Sequence, residues 1–155
     1  MSARKYLLIT MLMLNGMLST LVSAEEHQHH AMNKQTLQLD HGKKWSIDES
    51  LHKGMSNIRQ MLMLNLDDIH YDKFSKQQFL MLANKVDQQL SYLFEHCKLP
   101  AQADAQLHLL LAKIMKGSGL MKGSENPKYG AILLIQALQD YPVYFDDINW
   151  QKITH

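Results

Sequence analysis

Residues 74–100, FSKQQFLMLANKVDQQLSYLFEHCKLP, carry the clearest helix signal in this chain. A helix begins here because a capping box and a hydrophobic staple coincide, which pair Ser75 with Gln78 and Phe74 with Phe79. Proline at position 100 ends it, since the residue before a proline is pushed out of the helical region. At this length, roughly 35 Å, it is predicted to be the longest helix. Its apolar stripe consists of Phe79, Leu82, Val86, Leu90, Leu93 and Cys97.

Three further helices are predicted around this one. An earlier helix follows the capping-box pattern Ser46-x-x-Glu49 and ends near Asn65. A helix after Pro100 is predicted to break at Gly117-Ser118-Gly119, because paired glycines interrupt helices. The last helix opens at Asn126-Pro127, an N-cap followed by a first-turn proline. The apolar stripes of the first two are Leu51, Met55, Ile58 and Leu62, and Ala103, Leu107, Leu110 and Ile114.

Four amphipathic helices with short connections predict an all-α fold, an antiparallel four-helix bundle occupying residues 37–155. The end of the chain is too rich in aromatic residues for a free tail, so we expect it to fold back on the bundle. These aromatic residues are Tyr141, Tyr144, Phe145 and Trp150.

Residues 1–24 have the three parts of a secretory signal peptide. Arg4 and Lys5 precede an apolar run, and Val22-Ser23-Ala24 supplies the small residues that the peptidase reads. Cleavage after Ala24 predicts a periplasmic or secreted protein. It also lowers the count of basic residues from 16 to 14, against 15 acidic ones. Because basic and acidic residues are nearly equal in number, nucleic acid and an anionic membrane surface are excluded as partners.

The mature chain would then begin with a disordered His-rich tail, residues 25–36. A free α-amino group followed by histidine at the third position, His27, forms a square-planar site for Cu(II) or Ni(II) with two backbone amide nitrogens. His29, His30 and Met32 lie next to it and are further candidate ligands.

A second candidate metal site lies within the helical domain. Asp104, His108 and Met115 share one flank of the third predicted helix, and Cys97 faces its first turn across the hairpin. Soft thiolate and thioether ligands would suit Cu(I). The structural interpretation is favoured, in which Cys97 is a buried small hydrophobe, His108 pairs with Asp104 and Met115 fills a gap. Cys97 is the only cysteine, which excludes an internal disulfide.

Five short motifs occur in order along the helical domain. They are Leu39-Asp40-x-Gly42-x-Lys44-Trp45, Gly54-Met55-x-x-Ile58-Arg59, His96-Cys97-Lys98-Leu99, Ala103-Asp104-Ala105-x-Leu107-His108-Leu109 and Ala137-Leu138-x-x-Tyr141-x-x-Tyr144-Phe145-Asp146. Together they resemble a family of small exported bacterial helical proteins, sometimes catalogued as DnrO-like. The resemblance covers roughly residues 37–150 and implies a His-rich mature N-terminus and an association with copper or heavy-metal resistance. This chain has Asp147-Ile148-Asn149-Trp150 where the family pattern has His-Pro-Gly-Trp, which removes a histidine.

These observations predict a periplasmic, non-enzymatic metal-handling protein that binds or buffers copper. No phosphate-binding loop, nucleophile elbow or His-Glu-x-x-His motif is present, so no enzyme activity is expected. The alternative is a helical interaction or adaptor module of the cell envelope with no metal role. That alternative predicts an exposed apolar patch around Trp45, Tyr144 or Trp150 that binds a protein partner.

Overall fold

The computed structural model describes residues 36–153, and the fold of that range is all-α, as predicted. Two isolated bridges, Asp40 with Lys43 and Trp45 with Phe145, are the β-pairing in this range. None of the helices in it is both long and apolar enough to cross a membrane. The five helices are α1 (Glu49–Met63), α2 (Leu66–His70), α3 (Lys76–His96), α4 (Ala101–Gly123) and α5 (Pro127–Tyr144).

Helix α3 begins as its sequence predicts. The Ser75 side chain accepts a hydrogen bond from the Gln78 backbone, and the Gln78 side chain accepts one from the Ser75 amide at 2.8 Å. The rings of Phe74 and Phe79 pack edge to face with centroids 4.8 Å apart. The capping box and the staple are therefore both confirmed, and together they satisfy the first amides of the helix and fix the direction in which the chain enters it.

Helix α1 begins later than predicted, and its cap is Asp48 rather than Ser46. One carboxylate oxygen of Asp48 accepts from the Leu51 amide at 2.7 Å, and the other accepts from the Lys98 amide at 2.6 Å. The capping box at Ser46 was therefore wrong. The Asp48 carboxylate is the cap because its two oxygens reach one amide of α1 and one amide of the link between α3 and α4 at the same time.

The polar stretch between the first two predicted helices contains the short helix α2, which the sequence analysis missed. Leu66 and Ile69 are buried on one side of it, while Asp67 and Asp68 are exposed. Three residues of spacing place the two apolar side chains on the same face. A helix this short has too few residues for its periodicity to be recognised in a mainly polar sequence.

Helix α4 does not break at Gly117-Ser118-Gly119 but continues to Gly123, which makes it, rather than α3, the longest helix described. Gly117 and Gly130 face each other where α4 meets α5. A Cβ at Gly117 would lie 2.7 Å from the Gly130 carbonyl oxygen, and one at Gly130 would lie 2.7 Å from the Met121 amide nitrogen. The glycines allow close approach of the two helices, and that packing offsets the ~1 kcal/mol that glycine costs within a helix.

The core lies between the four longer helices: α4 packs against α3 and α5, and α1 also packs against both α3 and α5. The end of the chain contacts this core. The Trp45 amide donates to the Tyr144 carbonyl at 2.8 Å, and the Asp146 amide donates to the Trp45 carbonyl at 2.8 Å. Trp150 packs edge-on against the buried Tyr141 with ring centroids 4.7 Å apart. The largest fully buried side chains are Tyr141, Phe145, Leu51, Met55, Ile58, Leu62, Leu93, Leu107, Leu110, Leu111, Ile114 and Leu134.

Candidate functional site

The first candidate metal site lies outside the described residues. The signal peptide at 1–24 and the tail ligands His27, His29, His30 and Met32 all precede residue 36. The predicted tail, residues 25–36, therefore meets the described range only at its last residue. The Cu(II) or Ni(II) site in the tail remains a prediction from the sequence.

Of the four candidate ligands in the domain, Asp104 and His108 are neighbours. The His108 ring nitrogen Nδ1 lies 2.9 Å from the Asp104 carbonyl oxygen and 3.3 Å from its carboxylate oxygen Oδ2. Both side chains are about half exposed, and the imidazole also touches the ring of Phe94 at a centroid distance of 5.7 Å. Exposed pairs of this kind, one turn apart on a helix, contribute only about 0.3–0.5 kcal/mol to stability.

Cys97 is the C-cap residue of α3 and packs, half-buried, against the core. The pKa of its thiol is raised from 9.0 to about 12, mainly by burial and to a lesser extent by the negative charges of Asp48 and Asp104. The thiol is therefore protonated at neutral pH. A thiol in this state is neither a strong nucleophile nor a ready metal ligand, because both roles require the thiolate.

Met115 lies further along α4 and is half exposed. Its side chain borders a shallow hollow between α3 and α4, together with Phe94 and Gly119. Within residues 36–153, no three His, Cys, Asp or Glu side chains come close enough to hold a metal ion together. Of the four candidate ligands in the described domain, only Asp104 and His108 therefore form a pair.

A different histidine has the most organised environment in the described range. His52 of α1 places Nδ1 2.8 Å and 3.0 Å from the two carboxylate oxygens of Asp147. The Tyr141 hydroxyl donates to the same carboxylate at 3.0 Å, and the Asn149 amide donates to it at 3.1 Å. The Asp147 side chain is only 1% exposed, whereas His52 is 34% exposed. One buried carboxylate therefore joins α1, α5 and the C-terminal segment.

Electrostatics in this cluster are set by the buried carboxylate. Burial raises the pKa of the Tyr141 hydroxyl, and the charge of Asp147 and the hydrogen bond to it act in the same direction. The phenol is consequently a permanent hydrogen-bond donor and does not ionise in the physiological range. Asp147 also holds the His52 ring by one nitrogen, which leaves Nε2 as the nitrogen available to other groups.

No motif in the sequence singles out His52 or predicts this cluster. His52 and Asp147 are 95 residues apart, so no local spacing connects them. The signal that existed was indirect. The aromatic C-terminal segment was expected to fold back on the helices, but which of Asp146 and Asp147 would point inward depends on the geometry of the turn after α5.

The three aromatic side chains that the adaptor alternative needed on the surface are partly buried. Trp45, Tyr144 and Trp150 all pack against the hydrophobic core. The Trp45 indole nitrogen donates to the Gln38 carbonyl at 2.7 Å. These three rings are therefore only partly exposed in the described range, and whether the protein docks a partner stays a prediction.

Comparison with protein-family models, curated proteins and solved structures finds no match to this chain.

Proposed function

We propose that this is an exported, non-enzymatic metal-handling protein that captures Cu(II) or Ni(II) at its mature N-terminus. The observation that carries the proposal is the sequence Glu25-Glu26-His27 directly after a signal-peptidase motif ending at Ala24. Cleavage there would leave a free amine, two amide nitrogens and the His27 imidazole in the order that a square-planar site requires. His29, His30 and Met32 would supply neighbouring ligands for a transfer step.

Within residues 36–153, the helical domain has no group of three His, Cys, Asp or Glu side chains that would compete with the tail for a metal ion. Its one cysteine is a protonated thiol, and its Asp104–His108 pair has no third ligand of the His, Cys, Asp or Glu type nearby. In this proposal the tail binds the metal ion, and the folded domain is the stable part of the protein to which the tail is attached. Buffering or transfer of copper then requires no catalytic residue.

We further propose that α1, α3, α4 and α5 form an antiparallel four-helix bundle, with the aromatic C-terminal segment folded back on it. The links support this arrangement: only residues 97–100 join α3 to α4, and only residues 124–126 join α4 to α5. Connections this short favour antiparallel neighbours, since a parallel pair needs a connection as long as the helix. The hydrogen bonds between Trp45 and the residues around Phe145 support the placement of the C-terminal segment.

Calorimetric titration of the cleaved protein with Cu(II) tests the metal site. We expect sub-micromolar binding of one ion, lost in His27→Ala and retained in His41→Ala, which removes an almost fully exposed histidine from the domain. Affinity should rise with pH, because binding displaces protons from the amine and the backbone amides. Equal binding by wild type and His27→Ala would overturn the site, and so would a mature protein whose first residue is not Glu25.

A second candidate function, docking of an envelope protein, has one observation in its favour. Phe94 and Met115 are each about half exposed and border the same hollow between α3 and α4. Replacing both with serine should abolish the cellular role if docking is the function, and should leave it intact if metal capture is. Copper tolerance of cells that carry either this double variant or His27→Ala distinguishes the two functions.

A further inference from the structure

A polar hollow of ≈ 380 Å³ lies between α1 and the C-terminal segment. His52, Ser56 and Arg59 line it from α1, where their spacing of four and three residues puts them on one face. No carboxylate lines it, one lining residue is a fixed cation, and the hydroxyl and amide side chains around that cation can donate hydrogen bonds. We call it the donor hollow, and its lining residues are His52, Ser56, Arg59, Gln60, Asn149 and Gln151.

Arg59 is the most unusual of these residues. It is the only arginine after residue 4, while every other cation of that stretch is a lysine or a histidine. Among residues 36–153, no carboxylate forms an ion pair with it. One Nη2 proton goes to the Lys152 carbonyl oxygen at 3.2 Å, and Nε is buried without a partner. A partly desolvated guanidinium without a counter-ion is costly, and an anion in the hollow would relieve that cost.

His52 adds a second, oriented group. Asp147 holds Nδ1, so the ring nitrogen left for the donor hollow is Nε2. The acidic side chains near His52 line a neighbouring hollow, which shares His52 and Asn149 with the donor hollow. They are Asp48, Glu49, Asp146 and Asp147, and the charge of Asp48 is already met by two backbone amides. Tyr141 reaches the imidazole only through Asp147.

We propose that the donor hollow binds a small molecule through a carboxylate or phosphate group. The remaining Nη protons of Arg59 form a planar fork that matches two oxygens of such a group, and the His52 imidazole would contact it through Nε2. The Ser56 hydroxyl and the side-chain amides of Asn149 and Gln151 complete the set of donors. The proposed site shares no residue with the metal site proposed for the N-terminal tail, and neither proposal depends on the other.

Amide NMR titration of the mature protein with acetate, and separately with inorganic phosphate, tests the proposal. We expect saturable shifts around His52 and Arg59 with a Kd of about 1 mM for at least one of the two anions. Arg59→Gln should weaken binding at least about tenfold, and Arg59→Lys by about fivefold because it keeps the charge and loses the fork. Lys53→Gln is the matched control, since it removes a cation of the same helix that lies outside the hollow.

The response to the two anions also identifies the source of the ligand. Binding of acetate alone indicates a carboxylate-bearing metabolite, and binding of phosphate alone indicates a phosphoryl compound. No saturable shift with either anion overturns the proposal, and so does equal weakening by Lys53→Gln and Arg59→Gln, which would show diffuse charge attraction. If Arg59→Gln does not fold, Ser56→Ala and Gln151→Ala decide: the site requires both to weaken binding, and unchanged affinity in both contradicts it.

Discussion

Two histidine–aspartate pairs of this domain have similar chemistry and very different surroundings. Asp104 and His108 lie one turn apart on α4, with both side chains about half in solvent. His52 and Asp147 are far apart in the sequence, and the Asp147 carboxylate is almost completely buried. Water screens the first pair and keeps both partners hydrated when the pair is broken, whereas the buried Asp147 carboxylate has no water to replace a lost partner. Spacing along a helix therefore predicts which side chains pair, but it does not predict how much the pair contributes to stability.

Among substitutions in the two pairs, Asp147→Ala should have the largest effect on the free energy of unfolding. It leaves the Tyr141 hydroxyl, which is inside the core, and the Asn149 amide without an acceptor, and it releases His52. Breaking a buried, hydrogen-bonded charge typically costs 3–5 kcal/mol, and we expect a loss of about 3 kcal/mol in the free energy of unfolding. Urea denaturation measures it. Asp104→Ala is the matched control and should change the value by less than about 0.5 kcal/mol; similar losses in both variants would contradict the contrast.

Tyr141→Phe should have a smaller effect, because it removes one hydrogen bond and keeps the ring that packs on Phe145 and Trp150. The Asp147 carboxylate keeps its bonds to His52 and the Asn149 amide, so we expect a loss of about 1–2 kcal/mol. Tyr144→Phe, on the half-buried neighbouring tyrosine, is the control in thermal unfolding. A Tyr141→Phe protein as stable as wild type would show that the buried hydroxyl does not support the carboxylate.

The smallest effect is that of the Asp104 charge on the Cys97 thiol. Its pKa is raised to about 12, mainly by burial and to a lesser extent by Asp48 and Asp104. Alkylation by iodoacetamide at neutral pH should therefore be at least roughly a hundredfold slower in the folded than in the unfolded chain. Asp104→Asn should speed it by less than about threefold, because burial remains. A fast-reacting native thiol would contradict both statements.

The raised pKa of the Cys97 thiol also makes the stability of the protein depend on pH in the alkaline range. Its folded pKa of about 12 lies above its ordinary value of 9.0, so the unfolded chain loses this proton first as the pH rises. The stability that the thiol contributes is complete below pH 9.0 and is lost as the pH approaches about 12. Cys97→Ser should remove that part of the alkaline loss.

Local signals in the sequence were sufficient to predict the four longer helices and the start of α3. The capping box at Ser75 was confirmed because the whole motif, with its staple, lies within six residues and needs no outside partner. The cap of α1 was predicted wrongly because Ser46 and Asp48 are both acceptable caps by composition. The choice between them depends on the Lys98 amide, which comes from a distant part of the chain.

Long-range packing explains the other differences. Gly117 looked like a helix breaker because its contact with Gly130 on α5 cannot be seen from local sequence. The buried Ser118 likewise looks like a turn residue, but its hydroxyl donates to the Asp87 carboxylate of α3 at 2.5 Å. The donor hollow and the His52–Asp147 pair were missed for the same reason. Each depends on how the C-terminal segment packs against α1. The periodicity of α1 or of the C-terminal segment does not predict this packing.

The most direct test of this account is a pair of double-mutant cycles on the two histidine–aspartate pairs. The single variants His52→Ala and Asp147→Ala and their combination give one coupling energy, and His108→Ala with Asp104→Ala gives the other. We predict a coupling of at least about 1.5 kcal/mol for the buried pair and less than about 0.5 kcal/mol for the exposed pair. Equal coupling energies, or a larger value for Asp104 with His108, would contradict the claim that the buried carboxylate organises this domain.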